Sequence, residues 1–368
     1  MMRSLLLGMV FFAGIPQLST AQTNTDRPIP VSVPFLRLNH DIRAAGMGDA
    51  ATALPGSTAN HFANPARMME VQGKGGAQLS YIPWLQNMGN KIAHYSTSGY
   101  LHADEKQTFS GGFRYFKQGT LKVTDVNGNT LMESKPGDLA VDLSYARRLS
   151  DHWNIGTTFR YINSRIISAD ISYGGYSNAN TVAADLGVYY QGSTNSKGET
   201  WYFGTAITNI GGKIAYNESA TNQNYLPANF SAGGSFKKEN GDHQFILTAE
   251  MNKLLVPSIQ EDGTQPEKSA VSAIFSSWTD ATGGFSEEVK EMQWNAGAEY
   301  TYQNLLSVRA GYNYQNTSKG GANYFTTGLG VQLKPVQLNM AYTITNGGTA
   351  SNALPNTWKL GLAFFFSK

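Results

Sequence analysis

Hydrophobic and polar residues alternate with a period of two along most of the chain. Leu139, Val141, Leu143 and Tyr145 are interleaved with Ala140, Asp142, Ser144 and Ala146. Trp153, Ile155, Thr157, Phe159 and Tyr161 are interleaved with Asn154, Gly156, Thr158 and Arg160. Val182, Leu186, Val188 and Tyr190 stand opposite Ala183, Asp185, Gly187 and Tyr189, and the pattern returns over Leu306–Tyr314 and Val336–Ile344. Such alternation places one set on each face of a strand. A strand facing bulk water would carry Lys and Glu on its polar side. Here that side carries Gly, Ser, Thr and Asn, with occasional Asp142, Arg160, Asp185, Glu250, Glu299 and Arg309. The pattern predicts strands with one face in hydrocarbon and the other toward a polar lumen, where the charged residues pair with one another.

About fourteen strands are expected, beginning near Gly76, Ile92, Gln107, Leu139, His152, Thr181, Thr200, Ala228, His243, Met292, Leu305, Ala322, Val336 and Thr357. The links between them alternate in length. Those at Ala103–Lys106, Ser150–Asp151, Glu239–Asp242, Gln303–Asn304 and Lys334–Pro335 are short. Those at Gln118–Asp138, Ser164–Asn180, Ile210–Pro227 and Lys253–Glu291 are long. Short turns on the periplasmic side and long loops outside are the rule for outer-membrane barrels. The expectation is an all-β transmembrane antiparallel barrel with both ends of the chain on the short-turn side. Composition agrees: only 15% of the 368 residues are charged, against roughly 25% in soluble proteins. The chain has 39 Gly, 19 Tyr and 18 Phe but no Cys, which removes disulfides, thiolate metal sites and Cys nucleophiles. Its net charge of +2 carries no nucleic-acid footprint.

Arg3, the apolar run Leu5–Ile15 and the small residues of Ser19-Thr20-Ala21 are organised as a secretory signal. Cleavage after Ala21 is expected, leaving Gln22 first. The organisation is then 1–21 signal peptide, 22–75 an N-terminal segment, and 76–368 barrel. The N-terminal segment is rich in Pro, then in Gly and Ala, yet carries Val33, Phe35, Leu36, Met47, Leu54, Met68 and Met69. So much apolar content argues for burial, as a plug folded into the lumen. Its candidate seating residues are Arg43, Gly46, Met47, Gly48, Asn64 and Pro65.

The long extracellular loop 253–291 has a helical rhythm in Ala270, Val271, Ile274, Phe275 and Trp278. A second helix start is expected at Ser286, with Glu287 and Glu288 in its first turn. These helices either shield the barrel mouth or dock a partner. Candidate contact residues are Ile274, Phe275, Trp278 and Phe285, together with the Asn127-Gly128 tip of a tight hairpin. In the last strand, Lys359, Gly361, Phe364 and Phe366 have the order of a signal read by the barrel-assembly machinery.

Several segments, taken together in order and spacing, resemble the PorV family, outer-membrane barrels of the type IX secretion system. They include Asp41-Ile42-Arg43-Ala44-Ala45-Gly46-Met47-Gly48-Asp49-Ala50, Asn64-Pro65-Ala66, and Leu79-Ser80-Tyr81 with Pro83-Trp84-Leu85. Further along are Phe113-Arg114-Tyr115-Phe116, Thr124-Asp125-Val126-Asn127-Gly128-Asn129-Thr130, Gly283-Gly284-Phe285-Ser286-Glu287-Glu288 and Val308-Arg309-Ala310-Gly311-Tyr312. The resemblance implies a role in export within the wider group of fatty-acid-transporter-like barrels. Its implied partners are a large outer-membrane translocon barrel, secreted cargo with C-terminal signal domains, and a sortase-like attachment complex. Outer-membrane lipid and lipopolysaccharide would surround it.

Enzymatic motifs are sparse, and no cofactor is expected. There is no Gly-x-Ser-x-Gly elbow, and Gly211-Gly212-Lys213 lacks the upstream glycine of a phosphate loop. The six histidines show no metal-ligand spacing. Two alternatives to export stay open: a channel for hydrophobic compounds, and a lipopolysaccharide deacylase, which the resemblance also implies and which would use a Ser/His pair.

Overall fold

A computed structural model describes residues 28–84, 92–124, 127–166, 178–216, 223–321, 323–345 and 356–366. The expected signal segment, Gln22 and Ala322 lie outside the described residues. The strands are β1 (Gly75–Trp84), β2 (Ile92–Asp104), β3 (Gln107–Lys117), β4 (Leu121–Thr124), β5 (Thr130–Ser134), β6 (Gly137–Arg148), β7 (Trp153–Arg165) and β8 (Ala179–Gln191). They continue as β9 (Glu199–Gly211), β10 (Asn229–Asn240), β11 (His243–Leu254) and β12 (Met292–Tyr302). The last four are β13 (Leu306–Gln315), β14 (Tyr324–Leu333), β15 (Val336–Thr345) and β16 (Thr357–Phe366).

All except β4 and β5 form one closed antiparallel barrel. That makes fourteen wall strands. The largest offsets from the expected starts, two residues, fall at Gly137, Ala179 and Tyr324. The sheet closes between β1 and β16, in register from Gly75 opposite Phe366 to Tyr81 opposite Leu360. Closure matters because an unpaired backbone amide in hydrocarbon costs several kcal/mol. β4 and β5 pair with each other above the barrel, between β3 and β6.

The two faces divide as the alternation predicts. Leu143, Phe159, Leu186, Phe203, Leu247 and Phe325 are exposed on the outside, where hydrocarbon covers them. Asp142, Thr158, Arg160, Asp185, Ser235 and Asn295 are buried on the inside. Tyr342 and Trp358 pack at 4.3 Å between ring centres, and Trp201 and Phe236 at 4.9 Å, in the aromatic pairs that suit a membrane interface.

Fourteen strands enclose more space than their own side chains fill, and residues 28–74 occupy it. Val33, Phe35 and Leu36 pack against Ala140, Ile162, Ala183, Ile214 and Leu226 near the long-loop end. A short helix, α1 (Ile42–Ala45), is capped by Asp41, whose carboxylate accepts from the Arg43 and Ala44 amides. It carries Ile42 and Ala45 against Ile82 and Ala341. Lower down, Met68, Met69 and Val71 meet Tyr100 and Ala146 near the short-turn end, from which β1 then starts. The segment therefore descends from the outer mouth toward the periplasm. The first described residue, Pro28, thus lies at the long-loop end, and the residues before it lie outside the described ones. Pro28 lies against Gly320 in the β13–β14 loop, and the Ser32 amide donates to the Tyr225 carbonyl in the β9–β10 loop. Alternation reports on the wall strands and is silent about the direction of a segment that is not one.

The plug touches the wall backbone to backbone. A Cβ on Gly297 or Gly311 would collide with the main chain of Met47 and Gly48, on Gly204 with Thr52, and on Gly156 with Pro65 and Ala66. Gly328 meets Gly46 in the same manner. Gly48 itself has φ +69°, and its amide donates 2.8 Å to Thr326 Oγ1. These notches account for glycines in strands that otherwise disfavour them. Gly311→Val should therefore unseat the plug, lowering the conversion temperature of the folded, heat-modifiable band by the equivalent of about 1–3 kcal/mol. Gly99→Ala, whose added carbon meets only ordinary contact, should leave it unchanged. Equal stability of the two variants would contradict the notch assignment.

Candidate functional site at the barrel mouth

The loop after β11 folds into two helices, α2 (Ala270–Ser276) and α3 (Phe285–Lys290). Ser269 caps α2, its hydroxyl accepting from the Ser272 amide. α3 begins at Phe285, one residue before the expected Ser286, because Gly284 at φ +67° turns the chain into it. Glu287 and Glu288 occupy its first turn as expected, where the amide ends favour acids.

A buried ionic cluster fixes these helices to the wall. Lys253 at the top of β11 donates to Glu288 at 2.7 Å and Glu291 at 2.9 Å. Lys319, from the β13–β14 loop, bonds Glu287 and reaches Glu291 at 3.2 Å. Ser258 donates to Glu291 at 2.7 Å and to Asp280 at 3.0 Å, and the Ala281 amide donates to Glu288 at 2.8 Å. Burial alone would raise the Glu287 carboxyl; Lys319 outweighs it and holds the group below its ordinary range. Burial leaves Asp280 raised. Loss of either lysine would strand buried carboxylates, the costly way to break such a cluster.

On this base the apolar residues point away from the protein. Phe275 is 75% exposed and Phe285 82%; Val271, Trp278 and Val289 are exposed with them, and Ile274 is half-buried. Along α2 and the residue after it, Ala273 and Ser277 turn inward and are buried. The α2 rhythm is thus real, but its larger apolar residues are displayed rather than packed over the mouth. Trp278 has a partial anchor, edge-on to Phe230 at 5.3 Å. Exposed apolar clusters outside the hydrocarbon band mark interaction surfaces. Asn127 and Gly128 are also exposed, at the β4–β5 tip, with Gly128 at φ +85°. That tip rises between β3 and β6, and strands β7–β10 separate it from the helical loop. The structure does not bring the two into one patch.

Below the mouth, the plug residues singled out in the sequence are joined to the wall. Arg43 forms a two-pronged pair with Glu299 at 2.6 and 2.9 Å, and Arg309 reaches the same carboxylate at 2.5 Å. Asn64 donates to the carbonyls of Thr52 and Val188 and accepts from the Ala66 amide, with Pro65 opening the turn. On the opposite wall Arg160 lies between Asp142 and Asp185, at 2.5 and 2.7 Å, and Arg114 bonds Asp142 at 3.1 Å. The expected lumen pairing is present, with one difference: among the described residues Glu250 pairs with no cation, and it accepts the Ala51 and Thr52 amides of the plug instead. Among the polar gaps that remain, one beside β9–β12 has about 100 Å³.

The last strand splits the proposed assembly residues between two faces. Phe364 and Phe366 face outward, whereas Lys359 reaches Asp49 at 3.4 Å and Gly361 receives Ile42 of the plug.

Spacing along the chain hid one cluster. His40, His61 and His94 come together with Phe62, Trp84 and Phe116, the His94 and Phe116 rings stacked at 4.0 Å. Neither ring nitrogen of His40 or His61 has a hydrogen-bond partner among the described residues. No group of His and acidic residues there could hold a metal.

The family described as "Type IX secretion system protein PorV" matches residues 20–261. No curated protein sequence matches the chain. Among solved structures, the toluene transporter TbuX of Ralstonia pickettii is similar in fold, with 12% identity and a TM-score of 0.51. That match covers 90% of this chain and 99% of the other. The toluene transporter TodX of Pseudomonas putida is similar at 12% identity and a TM-score of 0.51, over 87% and 95% of the two chains.

Proposed function

The chain belongs to the PorV family of type IX secretion system proteins, and from that premise we propose that it acts in protein export as a carrier at the outer membrane. In this reading it receives secreted cargo through the cargo's C-terminal signal domain at a large translocon barrel. It then passes the cargo to a sortase-like attachment complex on the cell surface. The chain is an outer-membrane barrel of the Gram-negative type, and its β16 aromatics Phe364 and Phe366 are free to meet the assembly machinery from the lipid side.

One observation carries the proposal: a rigid base of buried ion pairs at the long-loop end holds Phe275, Phe285, Val271 and Val289 exposed. A protein with no apolar partner would gain nothing from ordering such residues outward. The Asn127-Gly128 tip offers a second, separate contact through exposed backbone. The channel alternative needs a continuous path, and the plug meets the wall at the main chain on several strands. The similarity to toluene transporters is one of fold.

The paired substitution Phe275→Asp and Phe285→Asp should weaken capture of an isolated cargo signal domain by at least about tenfold, since each buried aromatic is worth about 1.5–3 kcal/mol. The barrel should keep its heat-modifiable mobility. Cargo should accumulate in the periplasm of cells carrying the variant. Unchanged capture and normal secretion would rule the platform out as the receiving surface.

A further inference from the structure

The N-terminal segment does more than fill the lumen. Its first six described residues run beneath the helical loop at the outer mouth. Ile29 and Val31 pack into a cluster with Tyr225, Leu254, Val256 and Ala273, the last being the inward residue of α2. Ser32 donates its amide 2.9 Å to the Tyr225 carbonyl, a sheet-like tie to the β9–β10 loop. Pro28 contacts Gly320 in the β13–β14 loop, the loop that also supplies Lys319 to the ionic cluster. Three outer loops thus share one strap. Pro28 and Pro30 remain exposed.

We infer that Pro28–Val33 is a cell-surface strap that seats the α2–α3 platform, so that the chain enters its own barrel from the outside. The physical argument has two parts. Ala273 and Ser277 are the buried residues of the α2 stretch, and the apolar floor beneath Ala273 is completed by Ile29 and Val31. Without the strap, α2 would rest on a gap and hold its place by the ionic cluster alone. Proline at positions 28, 30 and 34 stiffens the segment, which lowers the entropy lost when it is held extended. The inference concerns how the platform is held and does not depend on which partner it receives.

The absence of cysteine from the chain allows a direct test. Pro30→Cys should react with a membrane-impermeant maleimide on intact cells, as Glu261→Cys in the platform loop does. Ser196→Cys, in the β8–β9 turn, should react only after the outer membrane is permeabilised. In a second arm, Val31→Asp should leave the barrel's heat-modifiable mobility intact while protease cuts the loop between β11 and β12 roughly tenfold faster, because cleavage follows the population of the open form. Labelling of Pro30→Cys only after permeabilisation would overturn the topology. An unchanged cleavage rate in Val31→Asp would overturn the seating role. Because neither arm involves cargo, failure here is distinguishable from failure of the export reading.

Discussion

A wall of fourteen strands leaves a wide interior, and the rest of this structure depends on how closely residues 28–74 fit it. The fit is made at the main chain. Where Met47 and Gly48 cross β12 and β13, Gly297 and Gly311 leave room for nothing else. At this distance several of the plug's polar groups are satisfied by the wall or by the plug itself. Glu250 takes the Ala51 and Thr52 amides, Thr326 takes that of Gly48, and Asn64 feeds two carbonyls. Burial without those partners would cost more than the packing returns.

The charges of the lumen follow the same logic. Glu299 holds a plug arginine and a wall arginine together, so the ion pair also records the position of the plug. Arg160, by contrast, joins β6, β7 and β8 with no plug residue between. The first network fixes the plug to the barrel; the second stiffens the wall and also touches the plug, since Arg114 donates to the Leu36 carbonyl. The ion pairs at the mouth extend this arrangement outside the membrane, where Lys253 and Lys319 anchor a loop instead of a plug. Interior, wall and mouth are therefore mechanically continuous.

Legibility in the sequence varied with the range of the determining contacts. The wall could be read residue by residue, because a strand between hydrocarbon and lumen must alternate, and turn and loop lengths then reveal the two sides. Arg43, Gly48 and Asn64 could be picked out by motif, but their roles lay in partners more than a hundred residues away, such as Glu299, Thr326 and Val188. The helical rhythm of the loop was visible. Its outward direction was not, since period shows that one face is apolar and says nothing of where that face points. His40, His61 and His94 carry no shared spacing and meet only because the plug lies against β2.

The sequence by itself determined the strand set, its two faces, the short and long ends of the barrel, and the family resemblance. All of these rest on local periodicity or contiguous motifs. The tertiary structure decided the direction in which the plug threads the lumen, the glycine notches that receive it, and the outward display of Phe275 and Phe285. Those depend on contacts between distant segments, whose energies appear only when the barrel closes around the chain that precedes it.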